Sequence, residues 1–326
     1  MKIAVLIPCY NEAITIGKVV DDFKRELPEA DIYVYDNNST DGSDEIAREH
    51  GAIVRYEHRQ GKGNVTRQMF REIEADCYVM VDGDDTYDAA AVHDMIAPVI
   101  ANEADMVVGD RLTNGSYDEE NTRPFHSFGN TMVRGLINHL YKADMHDIMT
   151  GYRAFSRNFV KTYPVISHGF EVETEMTIHC LDKGFRIAQV PFEYRDRPEG
   201  SVSKLSTVTD GLLVLKTIAA LFREYKPMRF FNWIALVFLL ACAGCGIPVI
   251  VEYVQTDFIT HVPLAIAAVG CAILAVLFFV CGLILDSVAR TARKQYELDV
   301  YRVYEDGYKD AAEGEALENP RTKGNK

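Results

Sequence analysis

The chain has little positive charge for its size. It carries 34 lysine and arginine residues against 48 aspartate and glutamate residues over 326 positions, a formal net charge of −14. A protein that binds nucleic acid through a broad basic face needs the opposite balance, because it pairs its cations with phosphates. Nucleic acid is therefore excluded as the main partner. A ligand that contains phosphate must be held by a metal ion or by a few individual cations.

We expect neither a disulfide framework nor an export signal. Its seven cysteines are odd in number, and four lie in apolar stretches near the C-terminal end, among them Cys242 and Cys245. Secreted disulfide domains carry an even, regularly spaced set, so we interpret these cysteines as small packing residues. The start MKIAVLIPCYNEA has one lysine and a short apolar run, unlike a signal peptide. We expect a cytoplasmic N-terminal domain.

Residues 1 to about 110 alternate short apolar runs with helical patterns. The runs IAVLIP, DIYVYD, AIVRYE, CYVMVD and DMVVGD predict five strands, and the segments between them predict helices. This alternation is typical of an α/β domain with a mostly parallel sheet and helices on both faces. Ligands of such sheets bind at the carboxyl ends of the strands, and the polar motifs of this sequence fall at those ends.

Two long apolar runs follow, at residues 230–254 and 262–285. About 20 apolar residues suffice to span a bilayer, so both runs are predicted transmembrane helices rather than a buried hairpin. Basic residues flank the pair on its outer sides, whereas the connection carries Glu252 and Asp257. The positive-inside rule then puts both termini in the cytoplasm. The expected organisation is an α/β domain at 1–204, an amphipathic helix along the inner membrane surface at 205–229, the two spans, and a cytoplasmic tail at 286–326.

One short stretch crowds carboxylates together. In CYVMVDGDDTYDAA, Asp82, Asp84 and Asp85 directly follow an apolar run. Like charges this close raise each other's pKa, so the cluster is either a solvated turn or a cation site. Two carboxylates separated by Gly83 can both reach a hard divalent ion such as Mg²⁺ or Mn²⁺, which also binds substrate phosphates. The D-x-D pattern alone does not decide between these interpretations.

Two further blocks accompany this pattern, IPCYNEAITIG after the first strand and VYDNNSTDGSDEI after the second. Together the three blocks resemble those of family 2 glycosyltransferases, P-x-Y-N-E, D-[DN]-x-S-x-D-G and D-x-D, over residues 1 to about 115. The resemblance implies a GT-A-like catalytic domain that binds a nucleotide-diphosphate sugar, with the metal on Asp82 and Asp84 and with Gly83 beside the substrate. It implies nucleoside contacts from Pro8, Tyr10, Glu12 and Asp36.

Two of these substrate positions have simpler explanations as well. A carboxylate at Asp36 can accept a hydrogen bond from a ring N–H of uracil or guanine, but an aspartate here also fits a turn that precedes a helix. Lys62, in the glycine-rich GKGN, is suited to contact a phosphate of the donor and equally suited to a solvated turn. The residues leave both alternatives open.

The second half of the domain narrows the resemblance. The segments DIMTGYRAFSR and YRDRPEGSVSKLS resemble the D-x-x-[ST]-G-[FY]-R and D-R-x-x-G-x-S-K blocks of dolichol-phosphate mannose synthases and their bacterial polyprenyl-phosphate relatives, the second block with one extra residue. The paired spans match the bacterial branch. The resemblance implies a catalytic set of Asp84, Asp147, Arg153 and Lys204. It implies contacts to the diphosphate or to the lipid phosphate from Arg111, Arg123, Asn130 and Arg197.

The expected function is that of a membrane-bound inverting glycosyltransferase of the cell envelope. It moves a sugar from a nucleotide-diphosphate donor, with UDP-GlcNAc or UDP-glucose favoured, to polyprenyl (undecaprenyl) phosphate. Two alternatives stay open: a GDP-mannose-dependent polyprenyl-phosphate mannose synthase, and a non-catalytic membrane sensor of sugar nucleotides. A processive polysaccharide synthase is excluded, because the only tryptophan, Trp233, does not lie in a Q-x-x-R-W block. A homo-oligomer or an auxiliary membrane protein also stays open.

Overall fold

The computed structural model describes residues 1–113, 126–198, 222–223 and 225–318, with the backbone alone at 126–130 and 304–318. The chain divides into two units, one of Met1–Val214 with Asp299–Lys326 and the other of Leu215–Leu298. Most of the interfacial helix predicted at 205–229 lies outside the described residues.

The first unit contains a seven-stranded sheet in the order β3-β2-β1-β4-β6-β5-β7. Strand β6 is antiparallel to its neighbours β4 and β5, and the other pairings are parallel. The predicted mostly parallel sheet is therefore confirmed. The strands are β1 Ile3–Cys9, β2 Asp31–Asp36, β3 Ile53–Tyr56, β4 Cys77–Met80, β5 Met106–Asp110, β6 Arg153–Ser156 and β7 Ile187–Pro191.

Seven α-helices accompany these strands in the described part of the unit, and a short 3₁₀ turn at Ala89–Ala91 leads into the fourth. Six of them match helical patterns in the sequence, whereas the short helix α6 follows β6 without such a pattern. The helices are α1 Ile16–Glu26, α2 Ser43–Glu49, α3 Lys62–Glu72, α4 Val92–Ile100, α5 His126–Tyr141, α6 Arg157–Thr162 and α7 Val172–Lys183.

The helices cover both faces of the sheet, as the sequence predicts. Alternate residues of β1, such as Val5, share one core with Phe23 of α1 and Val92 of α4. On the opposite face, Phe70 of α3 packs edge-on against Phe155 of β6, with ring centroids 5.6 Å apart. Full burial of each large apolar side chain contributes roughly 1.5–3 kcal/mol to the stability of the fold. The helices on both faces of the sheet therefore fix the positions of the strand ends.

The second unit contains two antiparallel helices, α8 Pro227–Thr256 and the part of α9 Val262–Glu318 that precedes Asp299. Phe231 and Phe238 both stack on Phe278, with ring centroids 6.3 and 5.5 Å apart. Gly282 permits this close approach, because a Cβ there would lie 3.0 Å from that of Phe231. Both helices are long and apolar enough to cross a bilayer. Helix α9 continues without interruption beyond the boundary predicted at residue 285.

Candidate active site

The carboxyl ends of the central strands meet at one edge of the sheet. Parallel pairing sets Cys9 opposite Asp36 and Leu6 opposite Met80, so the segments after β1, β2 and β4 begin side by side. Strand β6 runs the other way, and its first residue, Arg153, pairs with Met80. The turn that precedes β6 therefore reaches the same edge. Such an edge is where parallel α/β sheets bind their ligands.

Hydrogen bonds tie the loop after β1 to the loop after β2. The side chain of Asn11, whose φ is 53°, accepts a bond of 2.8 Å from the Thr40 N–H. The Ala13 N–H donates to Asp41 across 3.0 Å. Burial alone raises the pKa of Asp41, but hydrogen bonds from Ser43 and Ala13 outweigh it and lower the pKa. The side chains of Asn11 and Asp41 thus organise the loops around the end of β2.

Asp36 lies at the end of β2, and its two carboxylate oxygens differ in their hydrogen bonding. Its Oδ2 accepts a hydrogen bond of 3.1 Å from the Ser39 N–H, whereas its buried Oδ1 has no hydrogen-bond partner among the described residues. The side chain is 4% exposed, and an unsatisfied buried acceptor costs roughly 1–3 kcal/mol. A structural turn at Asp36 accounts for the hydrogen bond to Oδ2 but gives no partner to Oδ1. Beside Asp36, Pro8 pairs with Tyr35 across β1 and β2, and Tyr10 is partly exposed.

Asp82 directly follows the buried end of β4. It is paired with the Lys62 ammonium, and it accepts a hydrogen bond of 2.9 Å from the Tyr87 hydroxyl. Burial alone raises the pKa of Asp82, but Lys62 outweighs it and the pKa is lowered. Gly151 lies against this carboxylate so closely that a Cβ there would overlap it. The turn before β6 is therefore built around Asp82.

Asp84 is held from the opposite side. Its Oδ2 lies 2.6 Å from the Arg197 guanidinium, and its Oδ1 accepts a hydrogen bond of 2.7 Å from the Thr86 hydroxyl. Arg197 also reaches Glu12, at 3.8 Å. Burial raises the pKa of Asp84, and the neighbouring charge of Asp82 raises it further. An added cation beside Asp84 would oppose both effects.

The residues next to the two aspartates have structural tasks. Gly83 accepts a hydrogen bond of 2.6 Å on its carbonyl from the Thr15 hydroxyl, and a Cβ on it would lie 3.3 Å from Ile16. Asp85 points away to a 2.6 Å ion pair with Lys18, and its φ is 59°. Only two of the three clustered aspartates therefore face the site, which resolves the crowding seen in the sequence.

Lys62 is buried between two carboxylates. Its ammonium contacts Asp82 and lies 2.6 Å from Glu173 of α7, and only 8% of its side chain is exposed. Burial favours the neutral amine, but Asp82 and Glu173 outweigh it and raise the pKa of Lys62. Burial also raises the pKa of Glu173, although Lys62 opposes the shift. The solvated-turn explanation of Lys62 is therefore wrong for this structure.

The donor set fits a divalent cation. In the part of the chain that the structure describes, contacts join four carboxylates to two cations, an excess of two carboxylates: Asp82, Asp84, Glu12 and Glu173 against Lys62 and Arg197. Among the described residues, no three His, Cys, Asp or Glu side chains converge to enclose a metal by themselves. Mg²⁺ needs no such cage, because it binds one or two carboxylates together with water and substrate phosphates.

Asp147 is buried in an ion pair. Its Oδ2 lies 2.6 Å from Nε of Arg111, and its Oδ1 accepts a hydrogen bond of 3.1 Å from the Met149 N–H. The guanidinium of Arg111 also lies over the ring of Tyr194, 5.8 Å from its centroid. Both Asp147 oxygens have partners, so this geometry suits a residue that orients Arg111 better than a proton acceptor.

The structure does not give Arg153 the catalytic position that the resemblance implies. It is fully buried and donates to the carbonyls of Ile148 and Thr150 and to the Thr177 hydroxyl, at 2.7–3.0 Å. Burial lowers the pKa of Arg153. A guanidinium enclosed by the turn before β6 stabilises that turn and does not meet an acceptor phosphate. The motif position suggested contact with substrate, but the tertiary packing decides otherwise.

The side chains of three other predicted site residues lie outside the described part of the structure. Arg123 and Lys204 lie outside the described residues, and only the backbone is described at Asn130, on α5. By contrast, Glu173 and Tyr87 belong to the site although the sequence did not single them out. The segment GFEVETEM gave one weak signal for Glu173, since it places three acidic residues around the start of a helix.

Comparison with known proteins decides the family. Residues 4–163 match the family described as Glycosyl transferase family 2. The chain is 30% identical over 297 residues to Glycosyltransferase AglJ of Haloferax volcanii, an alignment that covers 90% of this chain and 95% of AglJ. The chain belongs to glycosyl transferase family 2. This family 2 protein is a glycosyltransferase, so the resemblance and the enzyme class are confirmed and the non-catalytic alternative is set aside.

Two more similarities bear on this family 2 enzyme. The Dolichyl-phosphate hexose transferase of Haloferax volcanii is 30% identical over 224 residues, which cover 69% of this chain and 95% of that protein. Glucosyl-3-phosphoglycerate synthase from Mycobacterium tuberculosis, solved with Mn²⁺, UDP and phosphoglyceric acid, is 22% identical with a TM-score of 0.57, over 69% of this chain and 78% of that one. The structural likeness confirms the GT-A-like fold.

Proposed function

We propose that this family 2 glycosyltransferase transfers a hexose from a nucleotide-diphosphate donor to a polyprenyl phosphate, with Mg²⁺ or Mn²⁺ at Asp82 and Asp84. The excess of carboxylates over cations in the contacts of the described site residues carries this proposal. A divalent cation that arrives with a nucleoside diphosphate compensates this excess. The base of the same ligand offers a ring N–H to the unpartnered oxygen of Asp36.

A lipid acceptor is supported by two observations. The relative called Dolichyl-phosphate hexose transferase is matched over 95% of its length, and helices α8 and α9 are suited to a bilayer. We propose a membrane protein with the catalytic unit and both termini on the cytoplasmic side. Arg111 and Arg197 then bind phosphate at the site, together with the residues expected nearby, Arg123, Asn130 and Lys204.

The chemistry requires little from a general base. The second pKa of a phosphate monoester is about 6, so the lipid phosphate is mostly a dianion at neutral pH. One of its oxygens forms a bond to the anomeric carbon while the bond from that carbon to the diphosphate breaks. The nucleoside diphosphate leaves with the bonding electrons, and the anomeric configuration inverts. Asp147 acts by holding Arg111, whose charge offsets the repulsion between the two anionic phosphates.

A bound divalent cation would supply Lewis-acid stabilisation of the departing diphosphate. Lys62 stays beside Asp82 and offers a second positive charge in the same place. UDP-GlcNAc and UDP-glucose are the favoured donors. GDP-mannose is the alternative, because uracil and guanine both offer a ring N–H to Asp36 and this contact does not distinguish them.

The test uses the full-length protein in detergent with Mg²⁺ or Mn²⁺ and undecaprenyl phosphate. Labelled UDP-GlcNAc, UDP-glucose and GDP-mannose are supplied separately, and label is measured in lipid extracted with organic solvent. We expect label from one donor, in a β-linked product, and its loss in Asp84→Asn. Asp85→Asn is the matched control, because Asp85 pairs with Lys18 away from the site. Equal labelling by Asp84→Asn, or none by folded wild type with any donor, would contradict the proposal.

A further inference from the structure

Glu173 makes an unusual contact for a helical glutamate. It lies in the first turn of α7, and its carboxylate is 2.6 Å from the Lys62 ammonium, with 4% of its side chain exposed. The same ammonium contacts Asp82. One buried cation is therefore shared by two carboxylates: Asp82 of the D-x-D motif, whose side chain is 25% exposed, and the buried Glu173 on a helix far away in the chain.

The neighbour two residues along α7 shows that this contact is not required by the helix. Glu175 is equally buried, but it accepts hydrogen bonds from the backbone N–H groups of Ile166 and Ser167, at 3.1 and 2.8 Å. Those bonds hold the preceding loop against α7. Glu173 is directed instead toward the cation of the site. Burial of a carboxylate away from water is costly, so the position of Glu173 indicates a function that involves Lys62.

We propose that Glu173 is a positioning residue that shares Lys62 and thereby leaves negative charge on Asp82 for a divalent cation. This inference rests on the metal site of the proposed function. Without Glu173, Lys62 neutralises Asp82 alone, and the four carboxylates become three against the same two cations. A divalent cation then meets less negative charge, and its attraction to the site falls accordingly.

If Asp82 and Glu173 share Lys62, the effects on metal binding of losing Glu173 and of losing Lys62 should cancel. Loss of Glu173 alone lowers the negative charge at the site, whereas loss of Lys62 alone raises it. Loss of both removes one positive and one negative charge, so the net charge of the site returns to its original value. A carboxylate with a purely structural task has no such relation to Lys62, because each substitution then adds its own defect.

The experiment measures Mn²⁺ binding to the full-length protein in detergent by electron paramagnetic resonance, both without nucleotide and with UDP or GDP present. The variants are Glu173→Gln, Lys62→Met, the double variant, and Glu175→Gln as the matched control. We expect Glu173→Gln to bind Mn²⁺ about tenfold more weakly than wild type and the double variant to return to within about threefold. Glu175→Gln should leave Mn²⁺ affinity unchanged.

The remaining outcomes separate a failure of the proposed metal site from a failure of the role inferred for Glu173. Wild type that binds no Mn²⁺ either alone or with UDP or GDP present overturns the metal part of the proposed function and this inference with it. If wild type binds, unchanged affinity in Glu173→Gln or further weakening in the double variant overturns the inference alone. If Glu173→Gln fails to fold, Lys62→Met and the double variant are compared directly. Tighter binding by Lys62→Met supports the inference, and equal affinities overturn it.

Discussion

The guanidinium of Arg111 lies 2.6 Å from the carboxylate of Asp147, and the two side chains are almost entirely buried. Arg111 follows β5 and Asp147 lies in the turn before β6, so the pair joins two segments at the ligand-binding edge. Loss of one member leaves the other charge without its partner. A buried ion pair broken in this way costs about 3–5 kcal/mol.

Asp147→Asn is therefore expected to lower both stability and transfer, and to do so through Arg111. The free energy of unfolding should fall by about 3 kcal/mol. Because the two residues act as a unit, the double variant Asp147→Asn, Arg111→Gln should lose no more transfer activity than the worse single variant. Denaturant unfolding and initial transfer rates are measured together. Asp144→Asn, at a side chain that is 95% exposed, is the control, and additive losses in rate would show that Asp147 acts independently.

Arg153→Met should affect folding more than substrate binding. The substitution removes hydrogen bonds to two carbonyls and one hydroxyl in the protein interior, and a buried acceptor left unsatisfied costs roughly 1–3 kcal/mol. We expect a fall of about 3 kcal/mol or more in the free energy of unfolding. Arg157→Met, at a partly exposed side chain near Glu74, should change stability by under about 1 kcal/mol. Equal stability of the two variants would refute the interior role.

Asp36→Asn tests the nucleoside contact. The substitution removes the charge, and it can place an amide N–H where the ligand should donate. We expect the dissociation constant of UDP or GDP to rise about 10- to 100-fold, the range for a hydrogen bond to a charged group. Calorimetric titration with each nucleotide measures the change. Asp31→Asn lies at the opposite end of the same strand, in an exposed pair with Lys2. If both variants bind nucleotide equally well, Asp36 is not a base contact.

The buried His179 predicts a loss of stability in acid. Burial lowers the pKa of this imidazole to about 3, and Lys183 adds to the shift. The unfolded chain takes up the proton below its ordinary pKa of about 6.5, while the folded chain does not. Stability from this group is therefore full above about pH 6.5 and falls as the pH decreases toward 3, by about 1.4 kcal/mol per pH unit.

Urea unfolding between about pH 7.5 and pH 4.5 measures this dependence. His179→Phe should flatten the slope, since a phenyl ring keeps the contact with Tyr163, whose ring centroid lies 4.9 Å away. The control is His93→Gln, at a histidine that is 57% exposed on α4. An unchanged slope in His179→Phe would assign the acid sensitivity to other groups.

The topology of the second unit is testable by epitope access. Arg223, Lys226 and Arg229 precede the first apolar run, whereas Arg290, Arg293 and Lys294 follow the second. With both charged flanks inside, a tag inserted after Asp257 should be accessible on intact cells, and a tag at the C-terminus should be accessible only after permeabilisation. The reverse pattern would place the catalytic unit on the outer side.

Much of this architecture follows from local sequence patterns. Apolar runs such as CYVMVD, each ended by polar residues, place the D-x-D carboxylates at a strand end without knowledge of the fold. The alternation of strands and helices then implies that several strand ends share one edge. The length of the two C-terminal apolar runs is likewise a local property. These features depend on residues close together in the chain, so the sequence by itself determined them.

Only the tertiary structure decided which charges meet. The antiparallel insertion of β6 puts Arg153 in the interior, where motif position had suggested substrate contact. The approach of α7 gives Lys62 a second carboxylate, Glu173, far away in the chain. Asp85 has the same side chain as Asp84, but its backbone conformation turns it to Lys18. An ion pair forms where packing brings two side chains within a few ångströms, and no local pattern in the sequence encodes that distance.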